Sequence, residues 1–323
     1  MCKFIGIDVS KASFDVSYEN SDGKFTHYKF SNNAKDFFRF IELIGDRDHC
    51  VMEATGPYYL NLACYLFDQN IKVSVVNPLQ IKHFVRMRMT RAKTDKKDAA
   101  MIALYGQSEK PRLWQPDEPH VMQLQQLHTV IEGLQKQSTM LKNQLEAFSQ
   151  SPVKDATVIN TLKSLLKTLE AKINKLENRM QEIVKTHYGP TFNSLISIPA
   201  IGPKTAILLI AITNNFKKFN DIKKLSAYVG IAPRIYQSGT SVKGKAHISK
   251  MGNKYIRKLL YICSWSAKTC NEPCKQLYER LKAKNKPERV IKIAIANKLL
   301  RQAFVIGSNL SLYNKNYEFK FGI

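Results

Sequence analysis

Acidic residues are scarce in this chain, and long hydrophobic runs are missing from it. Its 323 residues include 26 Asp and Glu against 50 Lys and Arg, a formal net charge of +24. The longest apolar run, Ala206 to Ile212, is far shorter than the roughly 20 residues of a membrane-spanning helix. Asp8 interrupts the N-terminus before a secretory signal could form. We therefore expect a cytoplasmic protein with no membrane partner, whose positive surface attracts nucleic acid. A merely basic protein, or one drawn to anionic membrane surfaces, is the alternative.

Metal-binding patterns of cysteine and histidine are also lacking. The six cysteines include no CxxC pair, and the seven histidines form no HxxxH or HExxH pattern. Zinc sites usually show such spacings. We therefore expect reduced, mostly buried thiols and no zinc.

The N-terminal part alternates strand and helix signals. Three β-rich runs come first, at 3–9, 13–19 and 24–30, and the short connections between them predict an antiparallel meander. An apolar helical stripe ends at Gly45. A strand from Cys50 to Ala54, a helix opened by Pro57 and a strand from Ile71 to Val76 follow. The order β-β-β-α-β-α-β-α predicts a mixed α/β sheet flanked by helices, as in ribonuclease-H-like folds.

The rest of the chain reads as helical. Prolines mark 109–119 as a linker. Apolar residues then repeat every three or four positions, which predicts a coiled-coil helical hairpin over 120–187. A third, mostly helical region covers 188–323. Near its start, Leu195 to Ala206 resembles a helix-hairpin-helix, whose turn points backbone N–H groups at a phosphate. Ala200 stands where such hairpins usually have a glycine, so a plain packing element is equally consistent with this stretch.

Four carboxylates stand out against the basic background. Asp8 ends the first strand, and Glu53 occupies the matching place in a later one. Asp95 and Asp98 are three residues apart and share one helix face, with Thr94 as a candidate N-cap. Their mutual repulsion would be relieved by a cation, and oxygen-rich clusters suit Mg²⁺ or Mn²⁺ bound together with phosphate. The alternative is that the acids of the helix complement its dipole and pair with nearby basic side chains.

Five motifs follow one another along the chain: GIDVSK, EATGPY, VVNP, KTDKKDA and PRIYQSGTSVKGKAHISKMGNKYIRKLL. In sequence, order and spacing they resemble the DEDD transposases of bacterial insertion sequences, recombinases related to Piv-type invertases and guided by a bridge RNA. The resemblance spans nearly the whole chain. It implies a RuvC-like metal-binding domain over 1–108, a coiled coil and a transposase domain with a serine loop. The family's acidic tetrad falls on Asp8, Glu53, Asp95 and Asp98, and its serine on Ser238.

The residues around Ser238 support that assignment only in part. Ser238 follows Pro233 in a loop and precedes Gly239, and a serine hydroxyl attacks phosphorus only if a base and positive charge assist it. A turn residue is the plain alternative, and Thr240 and Ser241 are rival hydroxyls. The basic residues that we consider for nucleic-acid contact are Arg88, Arg91, Lys204, Arg234, Lys243, Lys245, Lys250 and Arg257.

The leading hypothesis is a DNA transposase that cleaves and rejoins DNA through a transient phosphoserine, assisted by Mg²⁺ (or Mn²⁺) on the acidic tetrad. The resemblance implies donor and target DNA as partners, a bridge RNA as guide, and a homodimer or tetramer. One alternative is a RuvC-like junction endonuclease that activates water with two metals. The other is a nucleic-acid-binding protein without catalysis.

Overall fold

The computed structural model describes residues 3–45, 47–89, 94–234 and 247–315, together with the backbone of 237–238 and 242–243. The chain forms two compact units, the first ending at Pro116 and the second beginning at Asp117. The boundary therefore falls inside the stretch 109–119. Residues 110–118 contain neither helix nor strand. Within that stretch the Trp114 N–H donates to the Val73 carbonyl (2.7 Å), so its first part packs on the first unit.

The first unit is built on a mixed five-stranded sheet. Its strands are β1 (Phe4–Val9), β2 (Ser13–Glu19), β3 (Phe25–Ser31), β4 (His49–Glu53) and β5 (Lys72–Val76), in the order β3-β2-β1-β4-β5. The pairs β1–β2 and β2–β3 are antiparallel, as the predicted meander requires, whereas β1–β4 and β4–β5 are parallel. The predicted order of strands and helices is confirmed. Tight turns favour the antiparallel pairs, and helical crossovers make the parallel ones.

Helices cover both faces of this sheet. They are α1 (Ala34–Ile41), α2 (Tyr59–Asp68), α3 (Pro78–Met87) and α4 (Asp95–Glu109). One core gathers Phe14, Phe40 and Leu62, and the other gathers Phe84 and Ile102. The described cysteines form no disulfide, and burial raises the pKa of the Cys50 thiol well above its usual range.

The second unit is mainly helical. Two long helices, α5 (Pro119–Ser149) and α6 (Ala156–Ile196), pack along each other where the sequence predicts a hairpin. The supercoil of a coiled coil stays a prediction. Helix α6 continues past 187 through a kink at Tyr188 (φ −131°, ψ 23°), and Pro190, which cannot donate a helical hydrogen bond, accounts for the kink. Because α6 carries its buried side chains on to Leu195, the regions 120–187 and 188–323 share one unit and one core.

Further helices complete this unit, and residues Thr205 to Thr213 in the first of them are all buried. These helices are α7 (Pro203–Thr213), α8 (Ile222–Val229), α9 (Lys254–Cys270), α10 (Glu272–Ala283) and α11 (Glu288–Asn309). Between α8 and α9 the described residues form four short strands that the sequence patterns do not predict: β6 (Pro233–Arg234), β7 (Gln237–Ser238), β8 (Val242–Lys243) and β9 (His247–Ile248). Among the described helices, none combines the length and the apolar character needed to cross a membrane.

Candidate active site

The structure brings the four predicted carboxylates of the first unit together. Asp8, Glu53, Asp95 and Asp98 line one cavity of about 740 Å³. Asp8 lies near the end of β1 and Glu53 is the last residue of β4. Because these neighbouring strands are parallel, their carboxyl ends meet at the same edge of the sheet. Asp95 and Asp98 occupy the first turn of α4.

The first turn of α4 is fixed by its predicted cap. Thr94 has extended backbone angles (φ −148°, ψ 150°), and its hydroxyl oxygen accepts a hydrogen bond from the Lys97 N–H at 3.3 Å. The Asp98 N–H donates to the Thr94 carbonyl at 2.8 Å. This cap sets where the helix begins, and so which face Asp95 and Asp98 share.

Two glycines allow α4 to lie directly on the sheet. A Cβ atom on Gly6 of β1 would stand 2.0 Å from the Ala99 carbonyl oxygen and 2.3 Å from the Ala103 nitrogen. A Cβ atom on Gly106 of α4 would stand 2.8 Å from a methyl group of Val51. Neither position tolerates a side chain without moving backbone or core atoms. The distance of Asp95 and Asp98 from the sheet is therefore set by the backbone contact between α4 and β1.

The cavity sets four carboxylates beside three basic side chains, Lys82, Arg86 and Lys97. The pKa of Asp8 is raised to about 6, first by burial and then by the charges of Asp98, Asp95, Glu53 and Asp15. Glu53 accepts a hydrogen bond from the Thr55 hydroxyl at 2.5 Å. This rise of the Asp8 pKa means that the ionised cluster is unfavourable without a compensating positive charge.

Sequence reasoning missed a fifth acid, Asp15. It lies directly opposite Asp8 in the antiparallel pair β1–β2 and is buried. His27 Nε2 lies 2.8 Å and Lys29 Nζ 3.5 Å from its carboxylate oxygens. On β3, Lys29 lies opposite Asp15 and His27 lies diagonal to it. The sequence signal that could have revealed Asp15 was therefore the alternation of polar residues on one face of the hairpin. Asp15 thus has its own partners, one of which is the positive Lys29.

The donor set of the cavity consists of carboxylate oxygens, the ligands that hard divalent cations prefer. In chemical type the four acids fit Mg²⁺ or Mn²⁺. Within the described part of the chain, however, no three Asp, Glu, His or Cys side chains are already grouped closely enough to hold a metal ion. The acids face one cavity without forming a finished coordination shell.

Ser238 belongs to the second unit, where its backbone pairs with that of Val242 in the two-stranded β7–β8 ladder. Its side chain lies outside the described residues, as do Thr240 and Ser241. The segment emerges from a closed neck, which we define as the backbone pairing of residues 228–234 with 247–253. In the neck, the Lys250 N–H donates to the Gly230 carbonyl (3.2 Å) and the Asn253 N–H to the Tyr228 carbonyl (2.9 Å).

Glycines make this neck possible. Gly230 has φ +77°, and a Cβ atom there would lie 2.8 Å from the Met251 carbonyl oxygen. A Cβ atom on Gly252 (φ +137°) would lie 2.1 Å from the Tyr228 carbonyl oxygen. The two strands of backbone approach too closely for any side chain between them. The segment that carries Ser238 therefore leaves a fixed base.

The predicted nucleic-acid contacts have different surroundings. Arg88, Arg234 and Lys250 are exposed. Lys204, at the start of α7, forms an ion pair with Glu177 at 2.7 Å. Arg257 donates to the Val229 carbonyl at 2.8 Å, so it caps the end of α8.

Three more of these contacts cannot be placed. Arg91 and Lys245 lie outside the described residues, and of Lys243 only the backbone is described.

The turn before α7 explains the unusual alanine of the predicted helix-hairpin-helix. Ala200 has φ +79°, the left-handed region that normally favours glycine. The turn is therefore built as a glycine turn would be, with a methyl group added at some cost. It leads to Gly202, which begins α7 without a side-chain cap.

Comparisons with known proteins agree along nearly the whole length. Residues 5–151 match the DEDD transposase family of IS110-type elements, and residues 193–279 match the transposase family IS116/IS110/IS902. The pilin gene-inverting protein of Moraxella bovis is 31% identical over 314 residues, which cover 94% of this chain and 95% of that protein. The corresponding protein of Moraxella lacunata is 30% identical over 312 residues, with 94% and 95% covered.

A more distant relative is described as a transposase. The transposase for insertion sequence element IS1328 of Yersinia enterocolitica is 24% identical over 345 residues, covering 96% of this chain and 98% of that one. Among solved structures, T. thermophilus RuvC in complex with a Holliday junction substrate aligns at 12% identity with a TM-score of 0.28, over 35% of this chain and all of that one. That score is too low to carry a conclusion.

These matches define a class of enzyme, the DNA transposases and recombinases. Within it, the chain belongs to the IS110/IS116/IS902 family of insertion-sequence transposases. The four acids fall inside the first matched region and Ser238 inside the second. DNA is therefore a partner of this chain.

Proposed function

We propose that this transposase cuts and rejoins DNA through a phosphoserine at Ser238, with Asp8, Glu53, Asp95 and Asp98 holding a divalent metal ion. The observation that carries the proposal is the meeting of these four carboxylates in one cavity of a strongly basic chain. A protein that only bound nucleic acid would gain nothing from gathering four carboxylates in one cavity, since carboxylates repel the phosphate backbone.

We assign the first unit to the ribonuclease-H-like folds. The support is its strand order β3-β2-β1-β4-β5, in which β2 alone runs in the opposite direction to the other four strands. Acids at the end of β1, the end of β4 and the start of α4 then share one edge of the sheet. In such a fold these are the positions from which carboxylates reach a common phosphate.

The acids would bind Mg²⁺, with Mn²⁺ as a possible substitute. A bound divalent cation supplies positive charge next to the scissile phosphate and stabilises the negative charge of the transition state. The chain's own part is to gather the ligands. Burial first, and then the neighbouring carboxylates, raise the pKa of Asp8, which supports a cluster that a cation would stabilise. The contact of α4 with Gly6 supplies the rigidity.

Ser238 would act as the nucleophile. Its Oγ forms a bond to phosphorus while one phosphorus–oxygen bond of the DNA backbone breaks. The serine proton passes to a base or to water, and the departing sugar oxygen gains a proton to become a hydroxyl. The reverse reaction, with a hydroxyl from the other DNA strand, releases the serine. One phosphoester bond replaces another in each step, so strand exchange needs no external energy source.

Recognition and assembly complete the proposal. We propose that a bridge RNA pairs with donor and target DNA, while basic side chains hold the backbones without reading sequence. Ser238 and the acids belong to different units of the chain. We propose that a homodimer or tetramer assembled on two DNA sites brings a serine and an acidic cluster onto the same phosphate.

The decisive experiment compares Ser238→Ala with Ser241→Ala, a neighbouring hydroxyl, on labelled element-end DNA with Mg²⁺. We expect the Ser241→Ala variant to form a covalent protein–DNA adduct that resists denaturing gels, and the Ser238→Ala variant to form none. Phosphoserine in a digested adduct should map to Ser238. Asp98→Asn should abolish the adduct while leaving DNA affinity within a few-fold.

Two results would contradict the mechanism. Cleavage by Ser238→Ala at the wild-type rate, with no adduct in either variant, would identify a nuclease that activates water. Unchanged transposition by Asp98→Asn would show that the cluster is not part of the chemistry. RNA guidance is tested separately. If a bridge RNA guides the protein, ribonuclease treatment of the purified complex should abolish site-specific cleavage.

A further inference from the structure

A basic groove runs between α10 and α11 in the second unit, away from the residues that the sequence motifs single out. Each helix contributes a stripe at positions i, i+3, i+4 and i+7, which lie on one face. The stripes enclose about 490 Å³. The polar lining residues of this groove are Gln276, Arg280, Asn297, Lys298 and Arg301.

The charges in this groove are all positive. Arg280 and Arg301 are exposed, and neither forms an ion pair with a carboxylate of the described residues. Like charges lining one groove repel each other, and that repulsion is relieved by an anion between them. Guanidinium groups present paired N–H donors that match two oxygens of one phosphate.

Arg301 is oriented by a hydrogen bond to a neighbouring side chain of the groove. Arg301 Nε donates to Asn297 Oδ1 at 3.0 Å, which orients the guanidinium and leaves its two terminal nitrogens for a ligand. The Asn297 amide nitrogen in turn lies 3.5 Å from the Ile231 carbonyl oxygen. Ile231 lies in the neck, and Ala232 separates it from β6. Asn297 therefore joins the groove to the base of the segment that carries Ser238.

We infer that the groove binds the phosphodiester backbone of one nucleic-acid strand and leads that strand past the neck. An open groove with cations and amides, and with an apolar floor at Leu277, suits a continuous anionic chain whose bases are not read. The consequence for the reaction rests on the proposed function, because only there does the strand reach Ser238. The affinity of the groove does not depend on it.

The test measures binding of the full chain to fluorescent DNA duplex, single-stranded DNA and RNA of one sequence, in EDTA so that no metal-dependent chemistry occurs. We expect Arg280→Ala/Arg301→Ala to lose tenfold or more in affinity at about 0.15 M salt for at least one probe. The slope of log affinity against log salt should fall by about 2, because two phosphate contacts are lost. The probe with the largest loss identifies the strand that the groove takes.

A matched control removes two charges elsewhere. Lys24 and Lys35 are exposed on the first unit, and Lys24→Ala/Lys35→Ala should change affinity by less than threefold. Equal losses in the two double variants, or unchanged affinity and slope for all three probes with Arg280→Ala/Arg301→Ala, would overturn the inference. Both arginines are exposed, so thermal unfolding should match wild type.

The groove and the serine mechanism are tested separately, because binding is measured in EDTA and the adduct is sought with Mg²⁺. Ser238→Ala should bind every probe as wild type does. If the groove variant loses affinity while Ser238 proves not to form an adduct, the groove stands and the mechanism falls.

Discussion

Replacing Asp8 by Asn should stabilise the metal-free protein even though it removes a proposed catalytic group. The pKa of Asp8 rises from 3.8 to about 6 in the folded chain, so folding there favours the protonated form. Between these values the folded state binds more protons than the unfolded state, and stability falls as the pH rises through that window. At neutral pH the whole penalty is present. Asn keeps the shape and removes the charge.

The size of the effect follows from the same pKa. A rise from 3.8 to about 6 corresponds to about 3 kcal/mol at ~1.4 kcal/mol per tenfold change in equilibrium constant. Asp8 is only half-buried, so solvent screening reduces this to about 1.5 kcal/mol. For a chain of 323 residues, that increases Tm by roughly 2 °C. The difference between variant and wild type should shrink below pH 4.

The assay is thermal and urea unfolding from pH 4 to pH 8 in EDTA, repeated with Mg²⁺. Asp15→Asn is the matched control, because Asp15 faces the same side but is held by His27 and Lys29; its replacement should lower Tm. Mg²⁺ should raise the Tm of wild type more than that of Asp8→Asn. A lower or unchanged Tm for Asp8→Asn at pH 7 would refute the account of a repelling cluster.

Substitutions at three further positions, each with a stated contradicting result, test the local backbone geometry. Gly6→Ala should destabilise the protein by about 1–3 kcal/mol in urea unfolding and weaken Mg²⁺ binding, because α4 must move. Gly133→Ala is the control: with open space around it, it should stabilise the protein by about 0.5–1 kcal/mol. Equal stability of the two variants would contradict the close contact at Gly6. Ala200→Gly should stabilise by about 1 kcal/mol in the same assay, since φ is +79° there, and a loss of stability would mean that the turn is not strained. Thr94→Ala should cost about 1 kcal/mol while Thr94→Ser costs little; equal losses would show that the hydroxyl does not cap α4.

Much of the first unit can be predicted from the sequence because its strands are long enough to show a pattern. The strands predicted at 3–9, 13–19 and 24–30 differ from β1, β2 and β3 by at most one residue at either end. The positions of Asp8 and Glu53 at strand ends follow from the same patterns. Their convergence with the acids of α4 was expected from the fold order and the family resemblance.

Other features depend on partners that are distant in the chain. Gly6 is required because Ala99 lies on it, and no local pattern reveals that contact. The strands β6 to β9 have two residues each, too few for alternation to be visible. The extension of α6 past Pro190 was hidden because proline usually ends a helix, and here buried neighbours such as Phe192 and Leu195 hold the chain helical beyond the kink.

The closed neck has a consequence for engineering and for the divergence of this family. Since backbone hydrogen bonds join Gly230 to Lys250 and Tyr228 to Asn253, a change in length or composition between these anchor points need not disturb α8 or α9. The intervening stretch can therefore behave as an exchangeable cassette. Transplanting it between relatives should leave the helical scaffold on which it is mounted unchanged.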